Sequence, residues 1–194
     1  MNENTKEDFL SIYKDSIKRE GADKLLDWLN KTDFFFAPAS GKYHSCFEGG
    51  LCFHSLNVYK RLLTNVINEY GEKWEEKISK ESVAICGLLH DLCKVEFYKT
   101  EMRNVKVDGV WKEKPYYAID EKLPYGHGEK SVYIINGFLR LTREEALAIN
   151  WHMGGFDSRV QGGSFTHKEA FYKVPLCVLL HIADLEATFL DEKI

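Results

Sequence analysis

The 194-residue chain has no Ser/Gly/Pro-rich stretch, no long block of like charge, no internal repeat and no low-complexity tract. Nothing in it has the composition of a linker, so a single domain over residues 1–194 is expected. No apolar run is long enough to cross a membrane, and the N-terminal MNENTKEDFLSIYKD lacks the apolar core of a signal peptide. CxxC pairs are missing as well. The five cysteines, Cys46, Cys52, Cys86, Cys93 and Cys177, are an odd number, and three of them sit in apolar helical runs where a thiol packs as a small hydrophobe. Reduced thiols in the cytoplasm and no membrane partner are therefore expected. Neither charge dominates: 26 Lys and Arg against 30 Asp and Glu give a net charge of -4, which supplies no electrostatic reason for strong nonspecific binding to polyanions. A local basic or metal site can still take a phosphorylated substrate.

What the chain does have is helical periodicity. Phe9, Leu10, Ile12, Tyr13 and Ile17 make one amphipathic stretch, and Leu25, Leu26, Trp28 and Leu29 a second after Gly21. FFFAPASGKYHSCFEGG reads as a loop. Gly49-Gly50 then leads into a helix on which Leu51, His54, Val58 and Leu62 share a face, so His54 points where the apolar residues point. Ser82 is the expected cap of a further helix running through Leu92, apolar all round as a central buried helix would be. Between about residues 95 and 120 β-branched and aromatic residues dominate, and Asp108-Gly109 suits a two-residue hairpin turn. EKSVYIINGFLRL, TREEALAINWHM and VPLCVLLHIADLEATFL read as helices, the middle one opened by Thr142 and Glu145 in capping-box spacing. SRVQGGSFTHKE reads as a loop. The fold class expected is mainly α, with one β-hairpin inserted.

The chemistry concentrates in GLLHDLCK. His90 and Asp91 stand on an apolar run where an imidazole and a carboxylate cost free energy unless something charged and specific meets them, and a divalent ion is such a partner. Lys94 follows four residues after His90, where its ammonium can hold a phosphate. The plainer reading is an i, i+3 ion pair between Asp91 and Lys94, worth a few tenths of a kcal/mol at a surface, which leaves His90 without a purpose. Any one of the seven histidines, at 44, 54, 90, 127, 152, 167 and 181, is by itself better explained as a core or surface residue satisfied by a neighbour than as a metal ligand. His167 in particular falls in the polar loop. Glu48 and Asp157 lie near these segments, but spacing alone gives them no role.

Taken in order, His54 in GGLCFHSLNV, His90-Asp91 in GLLHDLCK and Asp184 in LLHIADLEA resemble the HD-domain superfamily of metal-dependent phosphohydrolases. The resemblance covers residues 42–188, which makes 1–40 a helical N-terminal extension and the fold an HD-like helical bundle. It implies that His54, His90, Asp91 and Asp184 bind one divalent ion. His127 in YGHGEKS and His152 in NWHMGG follow the order of HD proteins with two ions, with Asp91 bridging them. The pattern is similar to the HD domain of the YhaM-type 3′-to-5′ exoribonucleases, and by that likeness His44 borders the site. His181 is read as a packing or supporting histidine. Those nucleases carry an OB domain ahead of the HD domain, whereas about forty residues that read as helices precede the motif here. A nucleotide, short single-stranded oligonucleotide or other phosphoester is therefore expected in place of long RNA.

The expected activity is phosphodiester or phosphomonoester hydrolysis by a metal-activated water, with Asp91 and Lys94 at the reacting centre and Mn²⁺, Fe²⁺, Ni²⁺, Zn²⁺ or Mg²⁺ all compatible. A non-catalytic nucleotide-binding or regulatory module is the alternative, and a di-iron oxygenase of the same fold ranks below it. The hairpin offers Tyr98, Trp111, Tyr116, Tyr117 and Tyr125 for stacking and Lys99, Arg103 and Lys114 for phosphate. Cross-strand pairing accounts for the same aromatics.

Overall fold

The computed structural model describes residues 3–192. The chain is mainly helical, with one two-stranded antiparallel sheet among the described residues. α1 (Glu3–Ser16) and α2 (Ala22–Lys31) are joined at Gly21, and the Tyr13 hydroxyl donates to the Ala22 carbonyl at 2.8 Å. Phe9, Tyr13, Leu25 and Leu29 enter the core, with Leu10, Ile12 and Trp28 partly buried against it, and Phe9 packs on Phe34 and Phe35 with ring centres 5.0 and 5.6 Å away. The long α3 (Gly50–Tyr70) follows, then the short α4 (Trp74–Lys77) and α5 (Lys80–Leu89), buried from Val83 to Leu89. Gly87 lets α3 and α5 touch. A Cβ there would stand 2.6 Å from the Tyr59 Cα, so only glycine permits the approach that brings His54 on α3 beside His90 at the end of α5.

Two details of α5 differ from expectation. Its cap is Ser79, whose hydroxyl accepts the Ser82 N–H at 3.0 Å, because the Ser82 hydroxyl is spent on Glu145 at 2.7 Å. The helix also stops at Leu89. His90 closes it, Asp91 leaves the helical path at φ -104°, ψ 22°, and Leu92–Lys94 forms a single 3-10 turn held by the Lys94 N–H on the Asp91 carbonyl at 3.0 Å. The His-Asp pair thus sits where a buried helix ends, not in its middle.

β1 (Tyr98–Val107) and β2 (Val110–Ile119) pair in register from Tyr98 opposite Ile119 to Val107 opposite Val110. Asp108 and Gly109 both take positive φ, 51° and 82°, as a type I′ turn requires. Beyond the hairpin come α6 (His127–Asn136) and α7 (Arg143–Trp151), the latter with the full Thr142/Glu145 capping box. SRVQGGSFTHKE is not a loop. It holds α8 (Ser158–Gln161), capped by the Asp157 carboxylate on the Arg159 N–H at 2.8 Å, and the start of α9 (Thr166–Lys173), whose only fully buried residue, Ala170, leaves too faint an apolar stripe to read. α10 (Pro175–Glu186) packs against α3 and α7, and a π-helical turn over Ala187–Asp191 carries the chain back over α3. Among the described residues no helix is long and apolar enough to cross a membrane.

The Arg19 guanidinium locks α1, α5 and α7 together, bonding Glu145 at 2.8 and 2.9 Å and Glu81 at 3.2 Å. Burial alone would raise the Glu81 pKa, but the Lys18 and Arg19 N–H groups and the guanidinium outweigh it and hold the carboxyl below its usual range. A depressed folded-state pKa adds stability that is present above the unfolded pKa, near 4.3, and is lost as pH falls through the folded value. Glu81→Gln is expected to cost about 1 kcal/mol at pH 7 and to shrink the acid-induced loss of stability below about pH 4.5, read by urea unfolding across pH.

Candidate metal centre

Five helices deliver the donors. α3 supplies His54, the end of α5 and the turn after it supply His90, Asp91 and Lys94, the first residue of α6 is His127, the end of α7 is His152, and α10 brings Asp184. His54, His90 and His152 are completely buried, Asp91 nearly so, while His127 and Asp184 keep 32% and 16% of their side-chain surface and mark the open side.

Each buried imidazole is anchored through Nδ1. His54 Nδ1 donates to Glu192 Oε1 at 3.0 Å, His90 Nδ1 to the Gly87 carbonyl at 3.0 Å, and His152 Nδ1 to the Ile149 carbonyl at 2.6 Å. These bonds place the three Nε2 atoms on the inside, facing acidic oxygens. The Asp91 carboxylate divides what faces it. Oδ2 meets Lys94 Nζ at 2.6 Å and the Nε2 atoms of His54 and His90 at 3.5 Å each. Oδ1 meets His127 Nε2 at 2.7 Å and His152 Nε2 at 3.5 Å. Asp184 Oδ1 lies 3.2 Å from His54 Nε2.

This donor set fits divalent cations. Ligand atoms about 2.1 Å from one ion stand roughly 3 to 3.5 Å apart, the spacing that His54, His90 and His152 keep from the Asp91 oxygens, with His127 closer at 2.7 Å. His54 and His90 turn their Nε2 atoms to within 3.3 Å of one another, and His152 Nε2 is buried with no hydrogen-bond partner at all. Burying such atoms unsatisfied is costly, and a cation satisfies them together. The local charge leans the same way. Burial pushes the His54 pKa down, but the Asp184 and Glu192 carboxylates outweigh it and hold the imidazole up to about 9. Burial would raise Asp91, yet Lys94 and the surrounding imidazoles keep it well below the carboxylate range. His54, His90 and Asp91 offer three donor atoms within 4.8 Å of one another, and so do Asp91, Cys93 and His127.

No family model matches the chain, and no curated protein or solved structure matches it.

The remaining residues singled out in the sequence separate cleanly. His44 lies against the His54 ring with centres 4.8 Å apart, and burial beside His54 and Lys94 lowers its pKa to about 4. His181 stands behind His152, donating from Nδ1 to its carbonyl at 2.6 Å. His167 is half-buried in α9 between Trp151 and Phe171, not a solvated loop residue. Glu48 is exposed, and Asp157 is engaged by Arg159 at 2.6 Å. Lys94 and Asp91 do form an i, i+3 pair, but a buried one, so the small worth of a surface pair does not apply.

Two residues carried no signal in the sequence. Glu192, 6% exposed, accepts hydrogen bonds from Ser45 at 2.5 Å and Asn57 at 3.1 Å as well as from His54, and so fixes the tautomer and direction of that ring. Cys93 has its sulfur 3.5 Å from both ring nitrogens of His127. Glu192→Ala is expected to weaken divalent-ion affinity about 10- to 100-fold in competition with a chelating dye, while Glu192→Gln, which still accepts the His54 proton, recovers part of it.

Proposed function

We propose that the chain is a metal-dependent phosphohydrolase of the HD type, acting on a nucleotide, a short single-stranded oligonucleotide or a related phosphoester. The observation that carries this reading is the division at Asp91: one carboxylate with His54 and His90 at one oxygen and His127 and His152 at the other. That is the disposition a carboxylate needs to bridge two cations. The order of these residues along a mainly helical chain supports the HD comparison, with Asp184 completing the half that holds His54.

Bound divalent ions would supply a nucleophilic hydroxide at neutral pH and polarise a phosphoryl oxygen. The chain's part is positional. His54, His90 and His152 present Nε2 through their anchored Nδ1 bonds, Asp91 is shared between the halves, and His127 and Asp184 stand on the side that solvent and substrate reach. Lys94 keeps an ammonium against Asp91 Oδ2, where a phosphate brought to this carboxylate meets it. A groove of about 430 Å³ starts at the loop that carries His44 and runs along the hairpin, lined by Lys42, Arg103, Tyr116 and Tyr117 among others. Arg103 lies over the Tyr116 ring at 5.1 Å, so the groove offers both cations and aromatic faces to a nucleotide. Tyr125, by contrast, is stacked on Tyr133 with ring centres 5.0 Å apart.

A panel of nucleoside mono-, di- and triphosphates, cyclic nucleotides and short oligonucleotides, incubated with Mn²⁺, Ni²⁺ or Mg²⁺, tests the reading. It requires a product that disappears with chelator and returns with metal. Thermal stabilisation by a nucleotide without product under any metal points to a binding module instead.

A further inference from the structure

The outer half of the hairpin leaves both faces and one edge open to solvent. β1 is exposed at Lys99, Thr100, Met102, Arg103, Asn104 and Lys106 and β2 from Val110 to Pro115, with Met102, Val110 and Trp111 at 54%, 59% and 67%. An isolated pair of strands is marginal in water, and further strands stabilise it. The two outer edges differ. A two-residue turn closes on a pair that exchanges both of its hydrogen bonds, here Val107 and Val110, and bonded and unbonded pairs alternate from there. The backbone groups of Thr100, Met102, Asn104 and Lys106 on β1, and of Trp111, Glu113, Pro115 and Tyr117 on β2, therefore point away from the hairpin. On β2 that edge is blocked. Pro115 has no N–H to give, and Gly41 sits so close that a Cβ on it would stand 3.0 Å from the Tyr117 carbonyl oxygen. On β1, among the described residues, no backbone hydrogen bond from outside the hairpin reaches the four outward-facing positions.

The open β1 edge is self-complementary. Antiparallel pairing of two copies about a two-fold axis at Met102 sets Met102 opposite the partner's Met102, Thr100 opposite the partner's Asn104 and Glu101 opposite the partner's Arg103, each of the last two twice over by symmetry. Glu101 and Arg103 turn their backbone groups inward to β2, so across this contact they make the unbonded kind of pair, in which side chains come closest. Within its own hairpin Arg103 stands opposite Lys114, a like charge, while Glu101 stands opposite Tyr116 and accepts its hydroxyl at 2.8 Å. A carboxylate from a second copy offsets the Arg103–Lys114 repulsion. The register is also the longest one that pairs charges. Met102 lies near the middle of β1, so pairing runs over residues 98–106; an axis at Thr100 would match Lys99 with Glu101 over residues 98–102 alone, and an axis at Asn104 would set Arg103 against Val105. We propose that the protein is a homodimer joined edge to edge through β1, the two hairpins forming one four-stranded antiparallel sheet in the order β2, β1, β1, β2. The contact involves none of the metal-centre donors and does not depend on that reading.

Sedimentation velocity of the full-length protein over a concentration series tests it. The expected result is a reversible shift from the mass of one chain to that of two. Glu101→Arg sets like charges against each other at two places and should weaken the dimer about 100-fold or more. Combining Glu101→Arg with Arg103→Glu exchanges the two charges and should restore it. Met102→Pro removes the N–H at the axis but keeps the hairpin's own bonds, because Met102 faces outward like Pro115 directly across from it; this variant should be monomeric with wild-type divalent-ion binding. A wild type that stays monomeric across the series overturns the proposal, and so does a dimer that neither Glu101→Arg nor Met102→Pro weakens. A charge-exchanged variant that pairs no better than Glu101→Arg alone overturns it as well. Far-ultraviolet circular dichroism of each variant separates a lost dimer from a lost fold.

Discussion

Asp91→Asn is expected to lose both bound ions and at least about 10³-fold of any phosphohydrolase activity, because one carboxylate serves both halves of the centre. The Asp91 oxygens meet four of the imidazoles, those of His54, His90, His127 and His152, and the Lys94 ammonium, all within 3.5 Å. The substitution also leaves the Lys94 ammonium buried without its counter-charge. Breaking a buried pair from one side costs about 3 to 5 kcal/mol, to be seen in urea unfolding of the metal-free proteins. His152→Ala is the informative contrast, since it removes a donor from the Oδ1 half only and leaves the Oδ2 half complete. An Asp91→Asn protein that keeps the wild-type metal content would contradict the bridging role.

The second large effect is on the scaffold. Glu145 is completely buried and accepts from the Arg19 guanidinium at 2.8 and 2.9 Å, the Ser82 hydroxyl at 2.7 Å and the Thr142 N–H at 2.8 Å. Glu145→Ala strips the Arg19 charge of its main partner and removes half of the capping box on α7, so a loss of about 3 to 5 kcal/mol is expected. α5 and α7 end in His90 and His152, and Glu145 braces both helices at their opposite ends. Urea unfolding measures the loss, and Glu145→Gln, able to keep part of the hydrogen bonding, should lie between the two. Stability equal to wild type would mean that the Arg19 cluster does not brace the bundle.

The donors were legible wherever their positions follow from a repeat along one element. His54 shares a helical face with Leu51, Val58 and Leu62, and the His-Asp pair interrupts an apolar run that extends unbroken from Val83 to Leu89, so both announce themselves in the sequence. The hairpin was legible for a similar reason: Asp108-Gly109 can take the two positive φ values its turn needs. Glu192 could not be read. It lies 138 residues from His54, and its contact exists only because the turn after α10 folds back over α3. Cys93 was hidden by its neighbours, since Leu92 and Val95 make it look like one more apolar residue until the end of α5 turns its sulfur toward His127. The misplaced cap has the same origin. Ser79 and Ser82 are both good caps, and only the position of Glu145 on another helix decides which hydroxyl is free.

The most direct test of the two-cation centre is a metal count. Chelator-stripped wild-type protein is saturated with Mn²⁺, freed of excess ion and analysed by elemental mass spectrometry, with hydrolysis of the responsive phosphoester followed on the same samples. The Asp91 division predicts two ions per chain, with activity that appears as they bind and vanishes when they are removed. A chain that saturates at one ion, or that hydrolyses its substrate equally well with none, would contradict it.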